Sequence, residues 1–199
     1  AQPVTPEKPA WRYLQARGLD LTDGVPATLR YHPALKHSPT GLLFPALVAA
    51  VTIWPGKVPV AVHRTFLKLD GSDKAAVSCP KMLLGPAKGA AVRLAPAADE
   101  LIICEGIEDG LSVRQIKGGA AVWAGISTSG MTAVTLPDPP LAAHLIIAAD
   151  ADSAGQVAAR KAAEKWKAEG RAVEIATPPD GHNDWNDVVR KEAACPTTA

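Results

Sequence analysis

HLIIAADADSAG, residues 144–155, passes from an apolar run to two aspartates one residue apart, then to a small turn ending in glycine. Upstream, ELIICEGIEDG at 100–110 makes the same transition with a glutamate. Short apolar runs of this kind read as strands buried on both faces, the mark of a parallel sheet. Helical segments lie between and after them. IEDGLSVRQIKGG is closed by glycines, and SAGQVAARKAAEKWKAEG has Ser153 as N-cap and Gly170 as its stop. AAVWAG and RAVEIATPP supply two more strands, and DWNDVVRKEAA starts a last helix. Strands alternating with helices predict an α/β layer with helices on both faces. Ligands of such sheets bind outside the carboxyl ends of the strands. Those ends carry Glu105, Asp150 and Asp152.

In an extended segment residues i and i+2 face one side, so Asp150 and Asp152 can address one point. Crowded carboxylates repel each other unless a cation lies between them. Hard oxygen donors with room for water favour Mg²⁺ or Mn²⁺ over zinc. The pattern predicts a divalent-cation cradle at the sheet edge. DADS also resembles the Asp-x-Asp-x-Ser/Thr of haloacid-dehalogenase-type phosphatases. That motif follows a first core strand with further acids downstream, whereas here Glu105 lies upstream.

The first half reads differently. Residues 1–9 are Pro-rich and expected to be flexible. PAWRYLQARGL (9–19) is a short helix with Pro9 in its first turn and Gly18 at its end. FPALVAAVTIW (44–54) and VPVAVHRTFLKLD (58–70) form a hairpin split at Pro55-Gly56, DGSDK (70–74) is a turn and AVRLA (91–95) a strand. The expected organisation is a flexible start (1–9), a small α+β, mostly β domain (10–98), an α/β domain (99–192) and a tail (193–199).

The chain has 199 residues, 47% of them hydrophobic, enough for one good core or two small ones. Its net charge of +1 hides an asymmetry. Residues 1–100 carry 12 Lys/Arg against 7 Asp/Glu, and the remainder 9 against 13. A basic half joined to an acidic half suits a protein that holds polyanions on one surface and metal ions on another. No apolar run approaches the roughly 20 residues of a membrane span. AQPVTPEKPAW lacks the basic-then-apolar order of a secretory signal. Cys79, Cys104 and Cys195 are odd in number and widely spaced, which predicts a reducing, cytoplasmic setting without disulfides or zinc. Cys104, inside LIIC, reads as a small buried hydrophobe.

Arg64, Lys81 and Lys88 are the first half's candidate phosphate or template contacts. Alternation puts His63 and Arg64 on opposite faces. Lys81 and Lys88 flank MLLGPAKGA, read as a loop whose glycines admit a phosphate; without Gly-Lys-Ser/Thr it is not a Walker A sequence. Arg160, Lys161, Lys165 and Lys167 read as a solvated helix face, Trp123 and Trp166 as core, and Trp185 as packing for the last helix.

LIICEGIEDGLS (101–112) and LIIAADADSAGQ (145–156), with the glycine turn VWAGISTSGM (122–131) between them, resemble the Toprim domain of DnaG-type primases, topoisomerases, OLD-family nucleases and RecR-type proteins. GHNDWNDVV (181–189) resembles the later acidic segment of primase and phage or plasmid Toprim proteins. YLQARGL, LRYHP, HRTFLKLDGSDKA and KMLLGPAKGAAVRL resemble the region preceding Toprim in primase-like proteins of phages, plasmids and integrated elements. Tyr13 and Tyr31, the only tyrosines, both precede the Toprim segment, so no topoisomerase nucleophile is expected. The resemblance implies Glu105 as general acid/base or metal ligand, Asp109 assisting, Asp150 and Asp152 binding Mg²⁺ or Mn²⁺, and Asp184 and Asp187 contributing to a second metal site. It implies a primase joining NTPs into RNA primers on single-stranded DNA, with a helicase or polymerase partner. A Toprim nuclease and a non-catalytic nucleic-acid-binding module are the alternatives.

Overall fold

A computed structural model describes residues 1–194. Residues 195–199, Cys195 among them, lie outside the described residues, while the first two residues of the expected tail belong to the last helix. In chain order the elements are α1 (Pro9–Ala16), β1 (Leu29–Lys36), β2 (Leu43–Ile53), β3 (Ala61–Phe66), β4 (Lys81–Leu84), β5 (Ala90–Arg93), β6 (Glu100–Cys104) and α2 (Ile107–Ile116). There follow β7 (Val122–Ala124), α3 (Thr128–Ala133), β8 (His144–Ala148), α4 (Ser153–Ala168), β9 (Ala172–Ala176) and α5 (Trp185–Ala194).

One nine-stranded sheet runs through both halves in the order β4-β3-β2-β5-β7-β6-β8-β9, with β1 also paired to β2. The junction is β5, which pairs antiparallel with β2 on one side and with β7 on the other. The N-terminal strands are antiparallel. β7, β6, β8 and β9 are parallel; β6, β7 and β8 are the apolar runs such a sheet buries, and β9 is its exposed edge. Cys104, Ala124, Ala148 and Ala176 lie in one register row, so these strands end level at one edge.

Alternation divides each central strand between two cores. Ile102 and Cys104 join Tyr13, Leu14, Ile107 and Leu111 on the face bearing α1 and α2. Leu101 and Ile103 join Trp123, Ile147 and Trp166 on the face bearing α4. α5 packs on α2, and α3 on α4. α4 shows why its sequence is helical: Ala158, Ala159, Ala162, Ala163 and Trp166 form its buried stripe, while Arg160, Lys161, Lys165 and Lys167 are exposed. Its N-cap is Asp152, whose Oδ1 accepts the Gly155 N–H at 2.7 Å, and not Ser153 as expected. The aspartate gains from the helix's positive end as well as from the hydrogen bond.

The hairpin, α1 and the C-terminal elements form where the sequence predicts. Residues 1–9, expected to be flexible, are instead tied down, Gln2 pairing with Tyr31 through two backbone hydrogen bonds and Val4 being buried in the core. Three elements do not follow from the sequence. β1 precedes the hairpin. KMLL is strand β4 rather than loop, so Lys81 stands at the head of an edge strand. TSGMTA, which begins inside the glycine turn and runs past it, makes the short α3.

Candidate active site

Strand ends and helix starts bring the acids together. Glu105 follows the last residue of β6, and Asp150 follows β8 by two. Asp109 lies in the first turn of α2 and Asp184 precedes α5. Two hydrogen bonds fix the aspartate loop: Ala151 N–H donates to Asn183 O at 2.9 Å, and Gln156 Nε2 donates to Asp150 O at 2.8 Å. The first also draws in Asp184. Glu105, Asp109, Asp150 and Asp184 line one cleft of about 260 Å³, together with Glu108, His63, Lys81 and Ile126.

The electrostatics report the crowding. Burial and then Asp150, Asp184 and Glu108 push Asp109 up to about 7. Burial and then Glu105, Asp184 and Asp152 push Asp150 up to about 6. Burial and then Asp152 raise Glu105, opposed by the Thr128 N–H and by Lys81. Asp152 is exposed, with one oxygen committed to its helix cap. Asp187 is not part of the cleft: its Oδ2 faces Asn183 N–H at 3.4 Å, while its own N–H donates to Asp184 Oδ1 at 2.6 Å.

Among the described residues no three His, Cys, Asp or Glu side chains are already gathered closely enough to hold an ion. Of the expected ligands, Glu105, Asp150 and Asp184 reach one cleft but not one point, as uncompensated like charges do, while Asp152 and Asp187 do not line it. The cleft nevertheless fits a cation. Asp150 Oδ1 is buried and has no hydrogen-bond partner. Such an atom costs about 1–3 kcal/mol unless something satisfies it. With carboxylates as its donors, the site suits Mg²⁺ or Mn²⁺ better than a softer metal.

Gly106 leaves room for the Asp109 carboxylate at the start of α2. A Cβ there would collide with Asp109 Oδ2. Gly125 and Gly130 meet in the same way across the turn after β7, where a Cβ on either would strike the other's segment. Between them Ile126 adopts φ 72°, a left-handed conformation rare for a β-branched residue. Its N–H donates to Glu105 O at 2.8 Å. Backbone strain of this kind concentrates at functional sites.

The three basic candidates separate. Lys81 borders the acids, with Nζ 3.0 Å from Glu108 Oε2. Lys88 is exposed beside a second hollow of about 630 Å³, which shares Lys81, His63 and Ile126 with the acidic cleft. Arg64 takes the opposite sheet face from His63, over Phe66 at 5.8 Å and buried. Its Nε has no partner, and among the described residues it pairs with no carboxylate.

Of four further residues at the site, Glu108 and Asn186 were not singled out from sequence, and His63 and Gly106 were given no role there. Glu108 is buried and bonded to Tyr13 and Lys81. His63 faces the cleft, and burial pushes it down to about 4. Asn186 donates its N–H to Asp109 Oδ1 at 3.2 Å and its Nδ2 to Arg17 O and Ser112 Oγ. Gly106 is the fourth; it appeared only inside a motif.

Residues 100–194 match the Toprim domain family, and residues 1–94 match a domain of unknown function (DUF7146). No curated protein matches the chain. A DNA primase domain from Pseudomonas aeruginosa is 18% identical, with a TM-score of 0.56, over 94% of this chain and 68% of that one. The DnaG catalytic core is 18% identical, with a TM-score of 0.61, over 94% and 70%. The Escherichia coli primase catalytic core is 16% identical, with a TM-score of 0.54, over 92% and 69%. Residues 100–194 are a Toprim domain, and the chain has the fold of DnaG-type primase catalytic cores.

Proposed function

We propose that the chain is the catalytic core of a DNA primase, joining NTPs into short RNA primers on single-stranded DNA. The supporting observation is one cleft shared by Glu105, Asp109, Asp150 and Asp184, holding a buried carboxylate oxygen without a partner. Glu105, Asp150 and Asp152 would hold a Mg²⁺ or Mn²⁺ ion, with Asp184 serving a second. Such an ion lowers the pKa of an attacking hydroxyl and stabilises charge on the leaving oxygen. Glu105, raised by burial, accepts the 3′-hydroxyl proton as that oxygen bonds to the α-phosphorus and pyrophosphate departs. Asp109 assists from the first turn of α2. Lys81 binds the triphosphate, and the neighbouring, mostly apolar hollow takes the nucleoside. Lys88 and Arg64 hold template phosphates; among the described residues Arg64 pairs with no carboxylate, which leaves its charge for a phosphate. A helicase or polymerase would deliver the template or take the primer, in the cytoplasm of a cell replicating a phage, plasmid or integrated element. No helix among the described residues is long and apolar enough to cross a membrane.

Incubation with labelled single-stranded DNA, Mn²⁺ and NTPs tests the reading. NTP-dependent products that vanish in Glu105→Gln and Asp150→Asn support it. Shortened DNA without NTPs indicates a Toprim nuclease instead. Binding without turnover, unchanged in both variants, indicates a non-catalytic module.

A further inference from the structure

α2 opens with two consecutive acids that part ways. Asp109 turns to the cleft and Asn186. Glu108 turns toward the N-terminal half and is only 6% exposed. A buried carboxylate is costly unless each oxygen finds a donor. Both do: Tyr13 OH donates to Oε1 at 2.6 Å, and Lys81 Nζ donates to Oε2 at 3.0 Å. The three partners come from α1, β4 and α2, so the contact spans both halves of the chain. Tyr13 is fully buried, which fixes Glu108 from behind.

Lys81 is the exposed member. Its side chain is 41% exposed, on a flexible four-carbon stem. Among the described residues Glu108 is its one recorded side-chain partner. Its field already reaches Glu105 and Asp150. An ammonium released beside those acids would be drawn among them and would occupy the place of a divalent cation.

We infer that Glu108, braced by Tyr13, is a positioning residue that holds Lys81 at the rim of the acidic cleft and keeps its ammonium from quenching the cation-binding carboxylates. Burial alone would push Glu108 up, but Lys81 and the Tyr13 hydroxyl outweigh it and hold Glu108 at about 2, ionised and paired throughout the neutral range. Burial keeps His63 neutral, so it does not duplicate the charge of Lys81. The inference rests on the cleft taking a divalent cation, as proposed above, and not on primer synthesis.

Mn²⁺ is the probe, titrated against the whole chain by electron paramagnetic resonance. Glu108→Gln is expected to weaken Mn²⁺ binding at least about fivefold, the low end for two coupled sites. Adding Lys81→Met to that variant is expected to restore wild-type affinity, because the competing ammonium is gone. A loss that Lys81→Met does not rescue marks Glu108 as merely structural and overturns the inference, as does unchanged affinity in Glu108→Gln. A crystal structure of metal-free Glu108→Gln gives a second readout that needs no metal. Lys81 Nζ should lie against Asp150 or Glu105; an ammonium still at the rim overturns the inference. If the wild type binds no Mn²⁺, the proposed cation site fails while the position of Lys81 still decides this point.

Discussion

Asp150→Asn should stabilise the metal-free protein while abolishing its response to divalent cations. Burial and then Glu105, Asp184 and Asp152 raise the Asp150 carboxylate from 3.8 to about 6. An acid whose folded value lies above its unfolded value favours folding when protonated and opposes it when ionised. The penalty is therefore small near pH 4, grows as pH rises through about 6 and is complete above about 7. Its full size is about 3 kcal/mol, at about 1.4 kcal/mol per pH unit. Asp150 is only partly buried, and solvent screening reduces this to about 1–2 kcal/mol. Asparagine keeps the shape and removes the charge. Urea unfolding in EDTA should show the variant more stable by that amount near pH 7 and nearly equal to wild type near pH 4. Added Mn²⁺ should raise wild-type stability and leave the variant unmoved. A variant less stable than wild type near pH 7, or a gain of equal size at both pH values, would refute the crowding argument.

Gly106→Ala should leave the fold intact yet weaken Mn²⁺ binding about tenfold, because the new Cβ displaces the Asp109 carboxylate; calorimetry reads the change. Glu108 is held below its unfolded value of 4.5, so its stabilising contribution is present above that pH and lost as pH falls toward about 2. Glu108→Gln should accordingly be less stable than wild type at neutral pH by up to about 3 kcal/mol, with the gap narrowing on acidification in denaturant titrations. Trp166→Ala empties a fully buried site under α4 and should cost about 3–5 kcal/mol in the same assay.

The C-terminal sheet was legible because its central strands are apolar on both faces, and the rule of strand carboxyl ends then placed Glu105 and Asp150. Asp184 and Asp187 could not be told apart from DWND alone. Three residues apart at a helix start, one opens into the cleft and the other folds back on Asn183, as the loop's attachment to Ala151 dictates. Alternation correctly separated His63 from Arg64 but could not say which faces the acids; that depends on how β3 and β4 sit over α2. Glu108 was hidden for a similar reason. In the sequence it is an ordinary first-turn acid, and only Tyr13, 95 positions away, makes it a buried one. The small N-terminal half and the Toprim half also read as separate units, because strand pairing through β5 leaves no local signature.

Anomalous diffraction from a crystal soaked in Mn²⁺ tests the shared cation most directly. The account predicts a peak in the cleft within about 2.5 Å of carboxylate oxygens of both Glu105 and Asp150. A well-ordered cleft without such a peak at saturating Mn²⁺, or Mn²⁺ bound only elsewhere on the surface, would contradict it.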